Sequence, residues 1–209
     1  GLVRVGATEG FGTLILAPHL AQLTRKHPHL SIDLLALPRM LHLSRREADI
    51  VISLERPTRG SVIVSRLSDY SLYLYGQREY LARKPLVATR EDLRHHAFVS
   101  YVDDLLFTKE LQFLDALHQP ERFAFRSTSI TAQYEAVRAG AGLAVLPAFL
   151  ADRDPVLTRV LPQEGQFTRT FWMSMPSESK HLARMQVTWA FLRETVAAQQ
   201  ELLKPKAVR

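Results

Sequence analysis

The sequence predicts an α/β fold in two lobes, and three observations predict it. Leu2–Leu54 reads strand, helix, strand, helix, strand, the order of a parallel sheet with right-handed crossovers. The same alternation starts again at Phe98 and runs to Leu146. Paired strands lie between these halves, with Val62–Leu67 and Tyr70–Tyr75 in succession, and Val156–Leu161 and Thr168–Met175 are strands after the second half. The chain is therefore expected to cross between lobes twice, near Arg66–Leu74 and near Thr170–Met175. Lobe I is expected to hold residues 1–70 and 172–209, and lobe II residues 71–171. Two crossing strands make a soft hinge. The expected ligand site is the crevice between the lobes, at the carboxyl ends of the strands.

Leu2–Gly6 alternates apolar and other residues, as a half-buried strand does. Ala7-Thr8-Glu9-Gly10 turns into a helix over Thr13–Lys26, irregular or kinked at Pro18, which has no N–H, and stopped by His27-Pro28. Ser31–Leu37 and Ala48–Leu54 are apolar runs of the kind buried on both faces of a sheet, joined by a short helix over Met40–Glu47. Gln77–Leu81 is a helical turn, and Glu91–His95 a short helix. Phe98–Val102 is a strand, Lys109–Leu117 a helix and Arg122–Arg126 a strand.

The stretch Arg126–Pro147, RSTSITAQYEAVRAGAGLAVLP, is the most informative. Ser127, Thr128 and Ser129 stand where helix caps belong. Ile130, Tyr134 and Val137 share one helix face, and Gly140 ends that helix. Leu143–Leu146 is a buried strand closed by Pro147, and Pro147–Asp152 a helical turn. The last helix, from about His181, carries Leu182, Met185, Trp189, Leu192 and Val196 on one stripe. It lacks a partner in the second half and is expected to return onto the first sheet.

The composition bounds the function. At 209 residues, with 46 % hydrophobic and 23 % charged, the chain can build one large domain or two lobes. Lys+Arg 27 against Asp+Glu 21 gives a net charge of +6, but no basic run exceeds two residues, so direct nucleic-acid binding by this chain is not expected. The absence of cysteine excludes disulfides, thiolate metal sites and cysteine nucleophiles. No apolar run approaches the roughly 18 residues of a membrane span. The opening residues lack signal-peptide anatomy, and a cytoplasmic location is expected. The chain enters its first strand at once, so further sequence is expected upstream.

LVRVGATEGFGTLILAPHLAQLTRKHPHLSIDLL followed by READIVISLERP resembles the opening of the effector-binding domain of LysR-type transcriptional regulators. STSITAQYEAVRAGAGLAVLP resembles the helix-and-strand signature of that domain's second lobe. The resemblance covers Gly1 to about Val196. It implies the type 2 periplasmic-binding-protein-like fold, a small-molecule effector between the lobes, and a homodimer or tetramer. It also implies an N-terminal winged helix-turn-helix, absent from this chain, through which alone DNA would be bound. One alternative is an extracytoplasmic solute-binding protein of a transporter. Another is an enzyme on the same scaffold, such as a prephenate dehydratase or a porphobilinogen deaminase, the latter needing a cysteine.

A turn from strand to helix aims free backbone N–H groups at one point. Thr8, Glu9, Gly10 and Phe11 occupy that turn in the first lobe, and Thr128 and Ser129 its counterpart in the second. Ser53 and Leu54 end the third strand; Tyr101 and Val102 end the analogous strand of the second lobe. These ten are the candidate ligand-binding residues. Each has a structural alternative: Thr8, Thr128 and Ser129 can cap helices, and Tyr101 can simply pack. Glu9 at a helix start is favourable by roughly 0.3–1 kcal/mol without a ligand. Facing the cleft, it would disfavour small anions. No catalytic residue, metal or cofactor is expected. There is no G-x-S-x-G or H-E-x-x-H, and Gly140-Ala141-Gly142 ends a helix before a strand, the reverse of a dinucleotide loop. His95 and His96 are adjacent and diverge. Asp103-Asp104 reads as a solvated turn, and Asp152 and Asp154 as loop caps.

Overall fold

Val3 and Val5 are fully buried while Leu2 and Arg4 are exposed, so the alternation of the first strand becomes a core face and an outer face. The computed structural model describes residues Gly1–Ala207. In chain order its first elements are β1 (Leu2–Ala7), α1 (Glu9–Phe11), α2 (Ala17–Lys26), β2 (Ser31–Ala36), β3 (Ile50–Ser53), β4 (Val62–Gln77) and α3 (Arg78–Ala82). Then come β5 (Phe98–Ser100), α4 (Leu114–Leu117), β6 (Phe123–Arg126), α5 (Ile130–Arg138), β7 (Ala144–Pro147) and α6 (Ala148–Ala151). The last are β8 (Leu157–Arg159), β9 (Gln166–Pro176), α7 (Ala183–Ala198) and α8 (Gln200–Leu203). The chain divides into two units. Unit 1 is Gly1–Asp69 with Thr170–Gln200, and unit 2 is Tyr70–Arg169 with the residues from Glu201.

In unit 1, β1 pairs in parallel with β2 from Leu2↔Ser31 to Ala7↔Ala36, and with β3 at Val5↔Ile50. β9 adds antiparallel to β3. α7 packs on β1 and α2. Its buried line is Met185, Thr188, Leu192, Thr195 and Val196, with Trp189 half-buried and Leu182 exposed, so the core-facing stripe is rotated from the expected one. The first helix begins at Glu9, earlier than expected, and passes through a π turn over Gly12–Leu16. Pro18 lies at the start of α2, and the Ala17 N–H bonds five residues back to the Gly12 carbonyl. The irregularity expected at a proline takes this wider form.

Three expectations for unit 1 need correction. β2 is not buried on both faces: Ser31 is exposed and the rest half-buried, because among the described residues β2 is an edge strand with β1 as its single neighbour. Met40–Glu47 is not a helix but holds a single 3-10 turn, Leu43–Arg45. Arg66–Asp69 does not turn, so the two expected strands are one, β4. Asp69 accepts from Arg66 Nη2 and from Thr170 Oγ1, both at 2.6 Å, and its carboxylate ties strands rather than closing a turn.

Unit 2 repeats the logic. β5 and β6 pair in parallel, and β7 and β8 pair antiparallel with β4. β5 joins β7 through Leu143: its N–H donates to Ala97 O at 2.9 Å, and its carbonyl accepts from Val99 at 2.8 Å. The preceding Gly142 permits this approach, since a Cβ there would stand 2.3 Å from Ala97 O. Tyr73, Tyr75, Val99, Val137 and Leu146 form the core. Gly140, at φ +83°, follows α5 as expected. The crossover from β5 to β6 departs from expectation. Lys109–Leu117 is broken into a 3-10 turn, Lys109–Leu111, and α4, with Gln112 extended between them.

Candidate functional site

Each unit gathers its candidates at the carboxyl edge of its parallel strands. In unit 1 the ends of β1 and β3 are neighbours through Gly6↔Val51, which sets the Thr8 turn and Ser53 on the same edge. Thr8 occupies the N-cap position of α1, yet its side chain makes no capping bond; the cap contact is the Gly12 N–H to its carbonyl, at 2.9 Å. Glu9 supplies the acid of the first turn and is half-buried. Gly10 and Phe11 are buried, and Phe11 stacks on Phe171 with ring centres 4.1 Å apart. Leu54 is buried in the core. Ser53 Oγ donates to the Glu55 carbonyl at 2.8 Å. Ser53 also lines a broad concavity of about 830 Å³, with Arg46, Arg56 and Arg59 among its lining residues.

In unit 2, Ser100 ends β5 beside Arg126 at the end of β6, and the Ser127 N–H donates to Ser100 O at 3.0 Å. This brings Tyr101 and Val102 to the same edge as Thr128 and Ser129. Ser129 is the N-cap of α5, its Oγ accepting from Ala132 N at 3.0 Å. Ser127 Oγ accepts from Ser129 N at 3.1 Å. Two of the three hydroxyls therefore hold the turn, and Thr128, half-buried, stands between them. Val102 precedes the 3-10 turn Asp103–Leu105. Tyr101 packs against the unit 2 core and lines a cavity of about 270 Å³ under the broken crossover.

A carboxylate that follows α6 anchors α5. Asp154 accepts from Tyr134 Oη and Arg138 Nε, both at 2.6 Å, and from Val156 N at 2.9 Å. Burial, and then the bond to Asp154, push the Tyr134 hydroxyl up to about 12. Asp152 accepts from Tyr75 Oη at 2.8 Å and from Arg159 Nε at 2.9 Å. The aspartates read as loop caps thus do more than cap: each joins elements distant in sequence.

Gln133 was not among the candidates. It is 1 % exposed, lines the unit 2 cavity and donates from Nε2 to Ser127 O at 2.9 Å. The available signal was its spacing, since Ile130, Gln133 and Val137 are the buried residues of α5 and an amide on an apolar stripe marks a polar task inside. The arginines around Ser53 carried no such signal. Among the described residues, no cluster of His, Asp or Glu could hold a metal ion, and no helix is long and apolar enough to cross a membrane.

A family model described as LysR substrate binding domain matches residues 1–197. An uncharacterized HTH-type transcriptional regulator of Haemophilus influenzae is 24 % identical over 174 residues, 79 % of this chain and 59 % of that protein. The Mau operon transcriptional activator of Paracoccus denitrificans is 31 % identical over 148 residues, 71 % of this chain and 48 % of the relative. The chain spans about half the length of these relatives. Among solved structures, the regulatory domain of CrgA, a LysR-type transcriptional regulator from Neisseria meningitidis, gives a TM-score of 0.81 at 21 % identity, over 94 % of this chain and 98 % of that one. The effector domain of the transcriptional regulator AmpR of Pseudomonas aeruginosa gives 0.74 at 20 % identity, over 95 % and 97 %. At these identities the likeness shows a shared two-lobe fold.

Proposed function

Because the chain belongs to the LysR substrate-binding domain family, we propose that it is the effector-sensing and self-associating part of a transcriptional regulator, not an enzyme. The observation that carries the reading is the match over residues 1–197, which favours it over an exported solute-binding protein. The site chemistry supports it: the Thr8 side chain makes no capping bond at a helix start where backbone N–H groups converge. In this reading Thr8 and Thr128 each offer a hydroxyl to a small organic effector, with Glu9, Gly10, Phe11, Ser53, Leu54, Tyr101, Val102 and Ser129 shaping the surroundings. The effector acts by binding one conformation better than another. DNA is contacted through a helix-turn-helix domain outside this chain, and two copies associate with α2 of one against α5 of the other.

A thermal-shift screen of aromatic acids, amino acids, sugars and other metabolites tests this, since a ligand that binds the folded state raises Tm. A ligand found in this way should bind about tenfold or more weakly to Thr8→Val and to Thr128→Val, each having lost a buried partner worth about 1–3 kcal/mol. Unchanged affinity in both variants would remove the two threonines from the site. A fragment that stays monomeric at high micromolar concentration by light scattering would overturn the pairing.

A further inference from the structure

We propose that unit 2 contains a second ligand pocket, complete without any residue of unit 1, for a small ring-bearing molecule that is neutral or carries an amine. The pocket exists because the crossover is broken. Gln112, at φ −87° and ψ 104°, interrupts what would be one amphipathic helix lying flat on the sheet. Beneath the break is the cavity of about 270 Å³.

Its inner wall is apolar and buried, with Val99 1 %, Phe113 5 %, Val145 6 % and Leu111 8 % exposed. Gln133 provides the polar group of that wall. With Nε2 given to the Ser127 carbonyl, its amide is held in one orientation, and an acceptor oxygen and a second N–H remain as its hydrogen-bonding capacity. A hydrophobic wall with one fixed amide suits a ring bearing a single polar substituent.

Charge selects among such rings. The lining includes Asp103 and Asp115, both exposed, and no Lys, Arg or His among the described residues. Asp103 lies 3.8 Å from Arg126, while Asp115 makes no ion pair among the described residues. Two lining rings each carry a guanidinium: Arg126 sits over Phe123 at 3.9 Å and Arg169 over Phe113 at 4.9 Å. Arg126 is held against Asp103 and Arg169 against Glu110, so the carboxylate left to select among ligands is Asp115, which favours an ammonium over an anion.

Titration of the whole chain with benzylamine, benzyl alcohol and benzoate, followed by ligand-observed NMR, tests the proposal. Benzylamine and benzyl alcohol should bind at millimolar concentration, and benzoate at least tenfold more weakly. Gln119→Trp plugs the rim from an exposed position and should weaken both ligands about tenfold; Gln112→Trp, also exposed, repeats the test should the first variant melt early. Asp115→Asn should weaken benzylamine about threefold and leave benzyl alcohol unchanged. Benzoate binding as well as benzylamine, binding indifferent to both rim variants, or no binding of either favoured probe would each overturn the proposal. Tyr101 is common to this pocket and the proposed effector site, but Thr8 and Thr128 line no part of the pocket, so effector binding in Thr8→Val and Thr128→Val and benzylamine binding in Gln119→Trp report on the two readings separately.

Discussion

Asp154→Ala should unfold unit 2 preferentially. The carboxylate side chain is 7 % exposed and serves three donors, two on α5 and one in the turn before β8. Arg138, 39 % exposed, can turn to water, so its part is under about 1 kcal/mol. The Tyr134 hydroxyl loses a net bond of about 1 kcal/mol, and an orphaned Val156 N–H costs about 1–3 kcal/mol. The expected loss is about 3 kcal/mol. Asp154→Asn keeps an oxygen for the Val156 N–H and should lose about half as much. Trp172 and Trp189 both lie in unit 1, so their fluorescence is the wrong probe. Urea unfolding followed by hydrogen exchange at the β5 and β7 amides reads unit 2 directly. The pH dependence adds a second check. Burial works to raise the Asp154 carboxyl, but the bonds from Tyr134, the Val156 N–H and Arg138 hold it below the ordinary 3.8. A lowered carboxyl contributes stability above its unfolded value, lost as pH falls through the folded one. The gap between wild type and Asp154→Asn should therefore shrink below about pH 4. A loss under about 1 kcal/mol for Asp154→Ala, or a gap as wide at low pH as at neutrality, would refute the reasoning.

Gly142→Ala sets a Cβ 2.3 Å from the Ala97 carbonyl at φ +157°, and should cost more than about 2 kcal/mol by parting β5 from β7; a wild-type melting curve by circular dichroism would count against that approach. His96 is 4 % exposed, with Nδ1 3.1 Å from Tyr80 Oη and Nε2 3.2 Å from Pro85 O, so the neutral ring donates from Nε2 and accepts at Nδ1. Burial lowers its pKa below the ordinary 6.5. The unfolded chain then takes the proton first, and stability is full above pH 6.5 and falls as pH drops toward the lowered value. Wild type should lose more stability than His96→Phe between about pH 7 and pH 5, and equal losses in denaturant titrations would remove His96 as the cause.

The sequence by itself determined the twofold β-α-β alternation, the cap at Ser129, the stop at Gly140 and the disturbance at Pro18. Each of these rests on a residue's own backbone preference or on a period within one turn or pleat, so no distant part of the chain is needed to read it. The candidate residues also fell at strand ends by this local logic: the Thr8 turn, Ser53, Tyr101 and Thr128 all follow strands whose apolar runs were plain. Tertiary structure alone decided the rest. Val62–Leu67 and Tyr70–Tyr75 read as two strands, but they form the single strand β4, with Asp69 at the join bonded by Thr170, far along the chain. Ser31–Ala36 looks like a central strand, and only the pairing order makes it an edge. The helix expected over Lys109–Leu117 is read from the local pattern alone, whereas the chain there takes a broken path over a hollow that Gln133, on a different helix, also lines. Burial and hydrogen-bond partners are properties of pairs distant in sequence, and a pattern read along one strand or helix does not contain them.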